Sequence, residues 1–254
     1  MAKLVAVHSF RGGTGKSNTA ANVAALLASE GARVAIVDTD IQSPGIHVLF
    51  GLGNTDGPTL NDYLWERSSI RDVTVDVSDR IVAHNAITGD GRLYLVRSSV
   101  SASDIARVLH DGYDIGRLKA GFEDLSAELD LDFLIIDTHP GLNEETLLSV
   151  MISDIMLVIL RPDHQDFEGT AVTVGVARRL KIPELLLVLN KVPSGVHLDH
   201  LRQQMMETYD AETVAILPLS EEVIRNASGD LFALAQPDDP WSAQIRLIVD
   251  RLRA

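Results

Sequence analysis

Apolar residues in this chain gather in short, nearly unbroken runs at 4–7, 34–37, 93–96, 133–136, 156–160, 185–189 and 213–216. Strands wetted on one face alternate apolar with polar side chains, so unbroken runs are expected where both faces are covered, as in a parallel sheet. Between them, apolar positions at helical spacing predict helices over 17–30, 102–110, 115–128, 169–180, 198–209 and 241–253. Gly31 ends the first of these, and the fourth stops before Pro183. The alternation predicts an α/β fold, a doubly wound and mostly parallel sheet with helices on both faces, whose ligands sit beyond the carboxyl ends of the strands. Residues 52–91, rich in Gly, Asp, Asn and Thr, are expected to form an irregular connection with a short helical piece at 60–65. No repeat or Pro-rich linker divides the chain, so 1–254 is read as a single domain.

Directly after the first apolar run, and directly before an alanine-rich helix, lies Ser9-Phe10-Arg11-Gly12-Gly13-Thr14-Gly15-Lys16-Ser17-Asn18. Glycines there can take backbone angles closed to other residues, so successive N–H groups turn inward around an anion at a helix N-terminus. Gly12 to Asn18, Thr14 included, are therefore candidate phosphate binders. Lys16 would reach the β- and γ-phosphates, and the Ser17 hydroxyl would ligate the accompanying Mg²⁺. The general phosphate-loop pattern would need glycine where Phe10 stands; what fits instead is a narrower variant with a cation, Arg11, just before the double glycine.

Two acidic motifs follow at strand ends. Asp38-Thr39-Asp40 aims two carboxylates into one cleft, Asp38 toward the Mg²⁺ shell and Asp40 toward the water that attacks the γ-phosphate. The run 133–136 ends in Asp137, a second Mg²⁺-holding carboxylate, followed by Thr138-His139-Pro140-Gly141, where Gly141 offers a flexible N–H to the γ-phosphate. Asn190 leaves the run 185–189 with an amide that can match the donor and acceptor edge of adenine, and Pro218 would bring backbone groups beside the base. ATP and Mg²⁺ are the ligands expected.

Bulk properties narrow the field. Hydrophobic residues make up 46% and charged residues 23% of the 254, ordinary for a globular protein. A formal net charge of −14 opposes unspecific binding to nucleic acid or anionic membrane, leaving nucleic acid possible but not favoured. The chain has no cysteine, which excludes thiolate metal and iron–sulfur sites and fits an intracellular, cytoplasmic protein. The mainly apolar stretch 147–160 is interrupted by Ser149, Ser153 and Asp154 and is too short to span a bilayer. Ile245, Leu247, Ile248 and Leu252 are read as core rather than as a membrane face, so no membrane-targeting tail is expected. The His197-Leu198-Asp199-His200 cluster is read as solvated, and Arg178, Arg179 and Lys181 as cations favouring a helix C-terminus.

Taken together, these motifs resemble those of the MinD/ParA family of P-loop ATPases with a deviant Walker A motif. The resemblance implies a P-loop NTPase fold and an ATP hydrolase that forms a homodimer in the ATP state, with nucleotide sandwiched between subunits. It implies a switch that positions or partitions a cargo, an unidentified protein complex or chromosomal locus, with the help of an activator protein. By this resemblance Asp40 belongs to the first switch, Asp137 to the second, and Asn190 contacts adenine. The family's signature lysine, which reaches the partner's phosphates, is replaced here by Arg11, so Arg11 joins Lys16 and Asp40 as a candidate catalytic residue. The alternatives are a nucleotide-binding regulatory scaffold with little turnover, and an Mrp-like assembly ATPase, suggested by the loop after Asp40 and disfavoured by the absence of cysteine.

Overall fold

A computed structural model describes residues 2–53, 57–84 and 88–254. Its strands are β1 (Lys3–His8), β2 (Arg33–Asp38), β3 (Thr74–Asp76), β4 (Arg92–Val96), β5 (Phe133–Asp137), β6 (Ile155–Leu160), β7 (Glu184–Val192) and β8 (Glu212–Pro218). The helices are α1 (Lys16–Ser29), α2 (Ile46–Leu49), α3 (Leu60–Leu64), α4 (Asp79–Val82), α5 (Ala102–Asp111), α6 (Ile115–Glu128) and α7 (Glu144–Met151). They continue with α8 (His164–Arg179), α9 (Leu198–Tyr209), α10 (Glu221–Asn226), α11 (Phe232–Ala235) and α12 (Pro240–Arg253). The strands form one sheet in the order β3-β4-β2-β5-β1-β6-β7-β8, parallel except for β3.

The continuous apolar runs are the central strands, buried on both faces as the pattern requires: all six residues of β6 and all five of β5 are inaccessible. One face packs on α1, α11 and α12 through Val5, Val7, Ile36, Ile135 and Leu157. The other receives α6 against β2, β4 and β5, and α8 and α9 against β6 and β7. Alanines at 20, 21, 24, 25 and 28 leave α1 narrow enough to be buried all round, and Asn22 within it accepts from the Ala233 N–H at 2.7 Å. Ile245, Ile248 and Leu252 of α12 are core; Leu247, which the spacing also assigned there, is 41% exposed, because it lies off the stripe that faces the sheet.

The region 52–91 is more ordered than its composition suggests, although 54–56 and 85–87 lie outside the described residues. It holds α3, whose Thr59 and Asp62 cap each other's backbone, then α4 and the antiparallel edge strand β3. The fourth predicted helix starts earlier than 169, because Asp163 accepts from the Asp166 N–H at 3.0 Å and caps α8 at His164. Helix α7 went unrecognised because its apolar residues merge with those of β6; Asn143 caps it. No helix among the described residues is long and apolar enough to cross a membrane.

Gly91, at the entry to β4, lies tight against the end of α1: a Cβ there would lie 2.0 Å from the Ala28 carbonyl oxygen and 3.1 Å from the Gly31 Cα. Backbone on both sides leaves no flexible atom to yield. Gly91→Ala is therefore expected to lower stability by about 1–3 kcal/mol, read as a fall in the urea midpoint; an unchanged midpoint would show that the α1 C-terminus shifts freely.

Candidate functional site

The strand order reverses at β1, which has β5 on one side and β6 on the other. Sequence neighbours therefore diverge there and leave a crevice at the carboxyl ends. In register, Val7 faces Asp137 across β1–β5, and Asp137 faces Asp38 across β5–β2. Both carboxylates thus point to the face covered by α1, whose first residue is Lys16.

Lys16 Nζ lies 2.6 Å from Asp137 Oδ1 and 4.0 Å from Asp40 Oδ2, all three side chains being nearly inaccessible. Asp38 is fully buried and accepts from the N–H groups of Asp40 at 3.0 Å and Gly45 at 3.3 Å. Burial, and then the charge of Asp137, push its carboxyl well above the usual carboxylate range despite Lys16. Asp40 is raised too, by burial first, with Lys16, Ser43 and His139 pulling the other way. Ser43 donates to Asp40 Oδ1 from N–H and hydroxyl, at 3.2 and 2.9 Å.

Gly13 and Gly15 take positive φ, 78° and 93°, so the loop requires glycine at both places. A Cβ on Gly12 or Gly13 would meet nothing within 4 Å, which leaves open space on that side of the loop. Helix α1 has neither a side-chain cap nor an acidic residue in its first turn, so its first N–H groups and positive dipole end face the loop unneutralised. Ser17, Asp38 and Asp137 supply hard oxygen atoms, the donor chemistry Mg²⁺ prefers, and the ammonium of Lys16 already rests on Asp137.

Asn190 and Pro218 line one cleft of about 400 Å³, together with Gly13, Gly15, Asn18, Lys191 and Trp241. Asn190 Nδ2 donates to the Thr14 carbonyl at 2.8 Å, and its Oδ1 accepts from the Lys191 N–H at 2.8 Å. One hydrogen and one lone pair of that amide stay available for a base. Lys191, which the sequence did not single out, holds the αL conformation and donates to the Gly13 carbonyl at 2.7 Å.

Two expectations meet local competitors. The Gly141 N–H donates to the Ser9 carbonyl at 2.9 Å, tying the segment after β5 to the loop instead of facing the cleft. Arg11 turns outward to α8, hydrogen-bonded to Gln165 and 3.8 Å from Asp166, a carboxylate already gripped by Arg161 at 2.9 and 3.0 Å. Beside it, Phe10 lies against Gly169, where a Cβ would fall 2.0 Å from the ring. His197 to His200 are exposed, and no metal-capable cluster occurs among the described residues. Arg178 donates to the Tyr209 and Asp210 carbonyls at the end of α9.

Sequence reasoning passed over His8. Its Nδ1 lies 2.9 Å from Thr138 Oγ1, whose hydrogen is spent on the Val7 carbonyl at 3.1 Å, so Nδ1 carries the imidazole proton. Nε2 is left buried with no partner among the described residues. Burial, then the charges of Lys16 and His139, drive its pKa down to about 3.

The family profile described as the CobQ/CobB/MinD/ParA nucleotide binding domain matches residues 5–232. An iron-sulfur cluster carrier protein of Pseudomonas fragi is 29% identical over 250 residues, spanning 93% of this chain and 80% of that protein. The septum site-determining protein MinD of Bacillus subtilis is 25% identical over 243 residues, 94% of this chain and 78% of that one. Among solved structures, the septum site-determining protein MinD of Pyrococcus horikoshii, complexed with Mg-ADP, superposes with a TM-score of 0.79 over 99% of this chain and 96% of its own. At 19% identity that likeness is one of fold.

Because folded His8 stays neutral down to about pH 3 while an unfolded histidine protonates near 6.5, the unfolded state binds one more proton across that window. Stability should then fall on acidification below 6.5 with a component of about 1.4 kcal/mol per pH unit. Denaturant titrations from pH 7 to 4 should show this slope reduced in His8→Leu; identical slopes would mean that His8 protonates in place.

Proposed function

The chain belongs to the CobQ/CobB/MinD/ParA family of nucleotide-binding domains, and from that premise we propose that it is an ATP hydrolase whose MgATP-bound homodimer positions or partitions a cargo. The observation that carries this reading is the buried Lys16–Asp137 pair of 2.6 Å at the uncapped start of α1. An ammonium held on a carboxylate beside an electropositive helix end is poised to exchange that partner for a polyanion.

In this reading Gly12 to Asn18 wrap the phosphates and Lys16 moves from Asp137 to the β- and γ-phosphates. Mg²⁺, held by Ser17, Asp38 and Asp137, would supply charge neutralisation on those phosphates. Asp40, freed from Lys16, orients the attacking water through a carboxylate whose Oδ1 accepts from Ser43. Asn190 and Pro218 border the base in the cleft they share. Arg11 leaves Gln165 to stabilise the phosphates of the second subunit. About 5.5 kcal/mol of differential binding moves a two-state equilibrium from 1:99 to 99:1; phosphates gripped by both subunits are the source of that difference, and hydrolysis removes it. The cellular setting that fits is the cytoplasm, with an activator and cargo docking on the dimer.

The outward hold on Arg11 favours a second reading, a nucleotide-binding scaffold that does not turn over. An iron–sulfur carrier role, which the Pseudomonas fragi relative bears in its name, would need thiolates that none of these 254 residues provides. Phosphate release by wild type, Lys16→Ala, Arg11→Ala and Asp40→Ala decides between switch and scaffold: a hydrolase should lose about 10²-fold or more in each variant, whereas a scaffold shows no difference among the four. Sedimentation should find a dimer with MgATP in Asp40→Ala and a monomer with MgADP; a monomer in both would remove the dimer from the proposal.

A further inference from the structure

His139 follows β5 by two residues and faces the first switch, with Nε2 3.9 Å from Asp40 Oδ1. Its tautomer is set by a chain of hydrogen bonds that begins at α7. Asn143 caps that helix, its Oδ1 accepting from the Thr146 N–H at 2.7 Å, which fixes the orientation of the amide. The group Asn143 turns toward His139 is therefore its NH₂, 3.3 Å from Nδ1. An NH₂ only donates, so Nδ1 accepts and the neutral ring carries its hydrogen on Nε2, the atom facing Asp40. Thr146 Oγ1 also donates to the His139 carbonyl at 3.1 Å, pinning the backbone to the same helix turn.

We propose that His139 is a positioning residue for Asp40, an N–H donor presented by the α7 cap that orients the carboxylate during hydrolysis. This rests on the reading of Asp40 as the residue that orients water. In the present geometry Asp40 has Lys16 4.0 Å from Oδ2 and Ser43 on Oδ1. Once Lys16 turns to phosphate, the carboxylate loses its cation, and Ser43 alone leaves it free to swing about its χ2 torsion. His139 stands ~1 Å beyond hydrogen-bond distance from the same oxygen, and a small closure of the two switches engages it. With Oδ1 held from two sides, Oδ2 is left to the water. The imidazole acts here by direction and fixed donor geometry.

The test uses the full chain: steady-state phosphate release against MgATP concentration, with binding of a slowly hydrolysed ATP analogue measured in parallel. His139→Ala should lower kcat by about 10- to 100-fold, leaving KM and analogue affinity within about twofold of wild type. His139→Gln, whose side-chain NH₂ reaches the place of Nε2, should recover most of that loss. Asn143→Ser keeps a helix-capping oxygen but removes the NH₂, and should reproduce the kcat defect without loss of thermal stability. A His139→Ala protein that hydrolyses at the wild-type rate, or a Gln variant as slow as the Ala variant, overturns the proposal while the hydrolase reading stands. Wild type that binds MgATP and releases no phosphate overturns both.

Discussion

One buried ammonium facing three carboxylates is the constraint on which this site depends. Strand register puts Asp38 beside Asp137, and the loop after β2 brings Asp40 to within 4.0 Å of the same Lys16. Like charges so close in a dry crevice cannot all ionise, and burial first, then the charge of Asp137, push the Asp38 carboxyl toward its neutral form. Counted over its own residues, the crevice is therefore short of positive charge. A divalent cation relieves the crowding of acids, and a polyanion relieves the lysine, so the two ligands suit this crevice better together than apart.

Around that cluster the loop is held in shape by two side chains from β7 and one backbone N–H from the segment after β5. Asn190 and Lys191, from β7, hold the carbonyls of Thr14 and Gly13, while Gly141 holds that of Ser9. Carbonyls turned outward in this way leave the N–H groups to turn inward. The β7 wall of the cleft and the glycine loop are therefore joined, with Asn190 bridging them through the Thr14 carbonyl.

Much of this was legible in the chain itself. The run 4–7, the glycines and the alanine-rich helix could be read in order because phosphate binding imposes a local spacing, and Asp38 and Asp137 stood out because unbroken apolar runs end in them. Strand order was not legible, since it depends on which helices cover which face. Short elements such as β3 and α4 were hidden because each is only three or four residues long within a stretch rich in turn formers, and for β3 the register with β4 supplies what propensity does not. The start of α8 was missed for want of weighing Asp163 as a cap, and α7 because helical and strand-like apolar stretches abut. His8 and Asn143 escaped for a deeper reason, and His139 could be read only as a residue of the second acidic motif near nucleotide or partner: their roles come from which atom of a ring or amide faces which neighbour, across as many as 130 residues of separation for His8 and Thr138.

The grip on Arg11 shows how loosely a reactive group can be stored. Asp166 is already saturated by Arg161 through side chain and backbone, so Arg11, 3.8 Å away and 42% exposed, is a second claimant on a carboxylate that has little left to give. Asp166 is buried but already neutralised by Arg161, and the Arg11 head keeps its contact with water, so this second pairing adds little. A guanidinium parked so cheaply imposes almost no toll on leaving its berth, and any stronger anion drawn alongside can claim it without unfolding a single turn of the scaffold.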